Sequence, residues 1–133
     1  MYLVDTSVWI DYFREKDNTS VKKLESIFDK GHHFGITSAI YQEILQGANT
    51  EQDFITLDTY LKTQRFYHPV NPLKTHQAAA YLYFTCRRNG ITVRSSIDCL
   101  IAQLAIEHHL ILLHNDKDFQ YMAKVIPELV EES

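Results

Sequence analysis

Two short apolar runs, Tyr2-Leu3-Val4 and Leu110-Ile111-Leu112-Leu113, most constrain how this chain folds, and each is followed closely by aspartate. Solidly apolar and only a few residues long, they read as strands covered on both faces. Between them, apolar residues recur at helical spacing: Val8, Trp9, Tyr12 and Phe13; Val21, Leu24, Ile27 and Phe28; Phe54, Leu57 and Leu61; Ile97, Leu100, Ile101 and Leu104. Strands alternating with helices mean βαβ units and a parallel sheet. The pattern predicts one α/β domain over residues 1–133: three α/β/α layers around a parallel sheet of four or five short strands.

Local signals place the remaining elements. Thr6 or Ser7 can cap the first helix and Thr37-Ser38 one running to Gly47, after a strand at Phe34-Gly35-Ile36. Pro72 suits the first turn of a long helix that Gly90 stops, and Ser95 or Ser96 caps the next. Val125-Ile126 is a candidate edge strand, and the acidic tail at Glu128, Glu131 and Glu132 reads as a solvated end.

Composition removes several classes. The chain has 133 residues, 45% of them hydrophobic and 23% charged, which fits a single globular domain and excludes a disordered or fibrous chain. No apolar run approaches the ~20 residues of a membrane span, and the start, with an acid at Asp5 and no basic segment, is not expected to act as a signal peptide. The chain is expected to be cytoplasmic. Cys86 and Cys99 have no zinc spacing and suit small buried positions in a reducing compartment. The paired histidines His32-His33 and His108-His109 point apart on a helix, and no HExxH motif occurs.

Charge is unevenly distributed. The net charge is −4, yet no acid lies between Asp58 and Asp98, where Lys62, Arg65, Lys74, Arg87, Arg88 and Arg94 fall. Such a split suits a protein that both contacts phosphate and holds cations, although a solvated basic surface accounts for the charge equally well.

Acids gather where a parallel sheet binds its ligands, beyond the carboxyl ends of the strands. Asp5 follows the first strand; Asp116 and Asp118 follow the last. Asp98 heads a helix face lined by Ile101, Ala102 and Ala105, and Glu43 lies three residues after Ile40. Each acid taken singly also reads as a cap or a solvated helix residue. Four carboxylates brought together would repel unless a cation neutralised them, and an all-oxygen set selects Mg²⁺ or Mn²⁺ over zinc.

Asp5-Thr6-Ser7, the segment Ser38 to Glu43, Arg94-Ser95-Ser96-Ile97-Asp98 and His114-Asn115-Asp116-Lys117-Asp118-Phe119 together resemble a PIN domain. The similarity covers essentially the whole chain and is closest to the VapC toxins of toxin–antitoxin pairs. It implies a metal-dependent endoribonuclease inhibited by a VapB-type antitoxin, a homodimer, and tRNA, rRNA or mRNA as substrate. Residue by residue, Asp5, Glu43, Asp98 and Asp116 match the acidic quartet, with Asp118 a further acid of the last motif. Thr6 or Ser7 matches the hydroxyl supporting the first aspartate, and Asn115 a polar neighbour of the fourth acid. His114 stands where Thr or Ser is more usual.

On this reading Asp5, Asp98 and Asp116 hold Mg²⁺ or Mn²⁺, joined by Glu43, which would orient or deprotonate a water, and Asp118 is a further candidate ligand. Arg94 is the expected phosphate contact; Arg87 and Arg88 are expected either to bind RNA or only to complement the helix dipole. Tyr81, Tyr83 and Phe84 can stack bases, or serve as core or dimer contacts. A haloacid-dehalogenase-type phosphotransferase would need Asp where Ser7 stands, and the glycines form no phosphate loop. A receiver domain's acid pair and late lysine are missing. A catalytically inert PIN fold that only binds RNA or protein stays open.

Overall fold

A computed structural model describes residues 1–133. Its strands are β1 (Tyr2–Val4), β2 (Phe34–Gly35), β3 (Ile111–Leu113) and β4 (Glu131–Glu132). The helices are α1 (Thr6–Phe13), α2 (Thr19–Lys30), α3 (Ser38–Gln46), α4 (Glu51–Leu61), α5 (Pro72–Arg88), α6 (Ser96–Glu107) and α7 (Lys117–Val125). The sheet runs β2-β1-β3-β4, every pairing parallel, with Leu3 opposite both Gly35 and Leu112. Flanked by helices, it makes the expected three-layer α/β/α architecture. No helix is long and apolar enough to cross a membrane.

The two apolar runs form the central strands because only there are both faces covered. Leu3, Val4, Leu112 and Leu113 are wholly buried, packed in one cluster with Val8, Trp9, Ile36, Ile40, Ile101 and Phe119. Gly35 is required by its neighbours: a Cβ there would lie 2.6 Å from the Arg65 carbonyl oxygen and from the Tyr67 ring. The segment is held by Ile36 N–H donating to Arg65 O and Tyr67 N–H to Ile36 O, each at 2.9 Å.

Several local expectations are corrected. The N-cap of α1 is Asp5, whose side chain accepts from Ser7 N–H, so neither Thr6 nor Ser7 caps it. Ser95 is the N-cap of α6 but makes no side-chain cap bond. Val125 ends α7 rather than starting a strand, and the edge strand is the acidic pair Glu131–Glu132. Their backbone supplies the pairing: His114 N–H donates to Glu132 O at 3.0 Å. On α1, Trp9 is fully buried, whereas Phe13 at 37% exposure lies outside the core. Tyr81 and Phe84 are exposed on α5, which excludes the core reading for both.

Candidate active site

The carboxyl ends of β1 and β3 adjoin, since Val4 pairs with Leu113. The chain beyond each therefore reaches the same place: Asp5 N–H donates to Leu113 O at 2.9 Å. From β3 the chain passes through His114-Asn115 to Asp116, the N-cap of α7, whose Oδ1 accepts from Asp118 N–H at 2.9 Å. Asp98, in the first turn of α6, completes the group. Asp98, Asp116 and Asp118 each offer an oxygen, and these oxygens lie within 4.8 Å of one another.

Asp5 lies deeper. It is 5% exposed, and its Oδ2 accepts from Ser7 N–H at 3.0 Å and Ser7 Oγ at 2.6 Å. Burial raises its pKa against the pull of those bonds. Glu43 projects from α3, and its Oε1 accepts from Thr6 Oγ1 at 2.8 Å. Thus the two hydroxyls after the first strand divide their work: Ser7 holds Asp5 and Thr6 holds Glu43.

Burial raises the Glu43 carboxyl, partly offset by the Thr6 bond. Asp98 is affected most. Burial, followed by the charges of Asp5, Asp116, Glu43 and Asp118, pushes its pKa up to about 7. A site where negative charges hold one another's protons on is one a multivalent cation stabilises. The donors are carboxylate oxygens alone, the chemistry of Mg²⁺ or Mn²⁺ sites.

Arg94 lies across this group. Its Nε donates to Asp118 Oδ2 at 3.1 Å, its backbone N–H reaches the same oxygen at 3.3 Å, and Nη2 is 3.5 Å from Asp116 Oδ1. Glu43, Arg94, Ser95, Asp98, Asp116 and Asp118 line an open cleft of about 300 Å³ with no apolar wall. Arg87 and Arg88 are outside that cleft; their guanidinium groups lie over the Tyr83 and Phe84 rings, 5.7 and 5.5 Å from the centroids.

The profile of the PIN domain matches residues 2–125. The chain belongs to the PIN-domain family. It is of VapC type: VapC ribonuclease Mb1587 of Mycobacterium bovis is 34% identical over 126 residues, which are 94% of this chain and 93% of that protein. Ribonuclease VapC11 of Mycobacterium tuberculosis matches to the same extent. Among solved structures, VapBC2 from Rickettsia felis, bound to a DNA fragment from its promoter, superposes with a TM-score of 0.73 at 23% identity, over 98% of this chain and 96% of that one. VapBC-1 from nontypeable Haemophilus influenzae has a TM-score of 0.73 at 18% identity, over 99% and 96%.

This PIN domain also uses residues that sequence reasoning passed over. Asp11 of α1 is buried, and its Oδ2 accepts from Asn115 Nδ2 at 2.9 Å and Asn18 Nδ2 at 3.0 Å. Asn115 N–H donates to Ser7 Oγ at 2.9 Å. The loop between β3 and α7 is therefore tied to α1 at two points. The signal was an acid three residues after Val8, on the buried face of an apolar helix. His114, whose ring is fully buried, and Glu131 form a second unforeseen pair, joined at 2.8 Å.

Proposed function

We propose that this protein is the toxin of a type II toxin–antitoxin pair and acts as a divalent-metal-dependent endoribonuclease. The observation that carries this reading is the grouping of Asp98, Asp116 and Asp118 oxygens within 4.8 Å, with Asp5 and Glu43 beside them. The VapC ribonucleases to which the chain is 34% identical support RNA as the substrate class.

Asp98, Asp116 and Asp118 would hold Mg²⁺ or Mn²⁺, with Asp5 completing the negative charge behind them. When bound, such an ion neutralises phosphate charge and acidifies a coordinated water. Glu43 acts as proton acceptor: Thr6 occupies Oε1, and the raised pKa brings the carboxylate nearer the range of an effective base. Ser7 keeps Asp5 oriented by donating twice to Oδ2, and those two bonds favour the charged carboxylate against the effect of burial. Arg94, at the rim, pairs with the phosphate of the cleaved bond. In-line attack by water on phosphorus breaks the bond to the 3′ oxygen, leaving 5′-phosphate and 3′-hydroxyl ends.

A VapB-type antitoxin is the proposed inhibitor, supported by solved neighbours that are VapBC structures, and a homodimer is the proposed assembly, as the resemblance to VapC toxins implies. The test is incubation with total RNA in Mg²⁺, Mn²⁺ or EDTA beside an Asp5→Asn variant of verified fold. Cleavage that requires metal and disappears in the variant is expected. Inert wild-type protein with tRNA, rRNA and mRNA alike would favour a binding module on the same fold.

A further inference from the structure

The fully buried His114 ring makes two hydrogen bonds, one at each nitrogen. Its Nδ1 accepts from Asp116 N–H at 3.1 Å, and its Nε2 lies 2.8 Å from Glu131 Oε1. A backbone N–H can only donate, so Nδ1 must be the unprotonated nitrogen and the ring hydrogen must sit on Nε2, aimed at Glu131. The imidazole thus connects the edge strand β4 to the backbone of a site aspartate.

Asp116 is the residue where that connection matters. Its N–H is held by His114, and its Oδ1 caps α7 by accepting from Asp118 N–H. Two bonds therefore fix the peptide plane and the side chain of one residue, and Asp116 in turn helps place Asp118. Glu131 is itself anchored: β4 pairs with β3 through Leu112 N–H to Val130 O at 2.9 Å and His114 N–H to Glu132 O at 3.0 Å. Lys23 of α2 also pairs with Glu132. His114 also packs against Phe119 of α7, the two rings tilted with centroids 5.2 Å apart.

We propose that Glu131 and His114 are positioning residues for the acidic site, Glu131 selecting the His114 tautomer that holds the Asp116 backbone. This places a structural determinant of cation affinity on the edge strand, outside the cleft. The proposal rests on the metal-dependent reading above, and its test separates the two.

Uniformly ¹⁵N-labelled protein would be examined by long-range ¹H–¹⁵N correlation, where His114 is expected as the Nε2–H tautomer. Mn²⁺ affinity would be measured by electron paramagnetic resonance for wild type, Glu131→Gln, Glu131→Leu and His114→Phe, with thermal unfolding and Asp116 amide hydrogen exchange on each. Glu131→Gln keeps an acceptor oxygen and is expected to bind Mn²⁺ like wild type. Glu131→Leu and His114→Phe should bind about tenfold more weakly, the low end for loss of a residue supporting a metal ligand. Asp116 amide exchange should accelerate in both, while Leu112 stays protected.

Should His114→Phe fail to fold, Glu131→Leu, altered at a partly exposed side chain, carries the test. A wild-type Nδ1–H tautomer, or Glu131→Leu with unchanged Mn²⁺ affinity and Asp116 exchange, overturns the pair. Wild type that binds no Mn²⁺, with Asp116 exchange still faster in Glu131→Leu, overturns the metal reading and retains the pair as the holder of the Asp116 backbone.

Discussion

Arg94 Nε donates to Asp118 Oδ2 at 3.1 Å, so the acidic site contains a cation supplied by its own chain. The Arg94 side chain is 73% exposed, whereas that of Asp118 is 7% exposed. With the guanidinium end of the pair open to solvent, its charge is screened and the pair is held only weakly. The guanidinium is thus a weak competitor for a divalent ion and free to move to a phosphate. Arg94→Ala is expected to tighten Mn²⁺ binding by less than about fivefold while lowering RNA kcat/KM by more than tenfold. Titration calorimetry with Mn²⁺ beside cleavage kinetics checks both; an equal, small change in each would remove Arg94 from phosphate binding.

The raised carboxyl of Asp98 ties stability to pH. Burial and neighbouring acids push its pKa up to about 7, and Asp5 and Glu43 shift in the same direction. A group that binds its proton more tightly when folded stabilises the fold as pH falls from that value toward the ordinary carboxylate range, and this stabilisation is lost as pH rises through it. Metal-free protein is therefore expected to melt higher near about pH 6 than near about pH 8. Mn²⁺ should restore the loss at the higher pH. Asp98→Asn should flatten the slope in thermal unfolding with EDTA; a slope unchanged by the substitution would locate the titration elsewhere.

Asp11 behaves in the opposite sense. Burial opposes its charge, but hydrogen bonds from Asn115 and Asn18 and the nearby Lys16 hold its carboxyl below the usual range. Its contribution is present at neutral pH and fades as the solution is acidified through that lowered value. Asp11→Ala removes two hydrogen bonds to a buried carboxylate and is expected to cost about 2–3 kcal/mol at neutral pH. It should also loosen the β3–α7 loop, visible as faster amide exchange at Asn115. Urea denaturation at neutral and acidic pH measures the first effect, and the cost should shrink in acid.

Much of this was legible because the informative residues are chemically loud. Apolar runs that end in aspartate mark the central strands, and Asp5, Asp98 and Asp116 stand where those strands and their helices deliver them. The edge strand was not legible, because Glu131–Glu132 pair with β3 through the backbone, which carries no side-chain signature. The sequence marks Arg94 as a phosphate contact, but its partner Asp118 lies 24 residues on and meets it only through folding. The role of His114 is hidden for the same reason, since its second partner, Glu131, lies 17 residues on.

Thr6 allows the base assignment to be separated from the metal. Its Oγ1 donates to Glu43 Oε1 at 2.8 Å, a bond that pulls the Glu43 pKa down against burial. Thr6→Val keeps shape and volume, removes the donor, and leaves the Asp98, Asp116 and Asp118 oxygens untouched. Without that bond the carboxyl rises further, so the acid limb of kcat/KM against pH should move to higher pH, with Mn²⁺ affinity unchanged. A one-unit displacement would correspond to about 1.4 kcal/mol of lost hydrogen bonding to the charged form. A pH profile that keeps its acid limb while activity falls uniformly would make Thr6 a support for Glu43 geometry alone. An unchanged profile and rate would remove Glu43 from proton transfer.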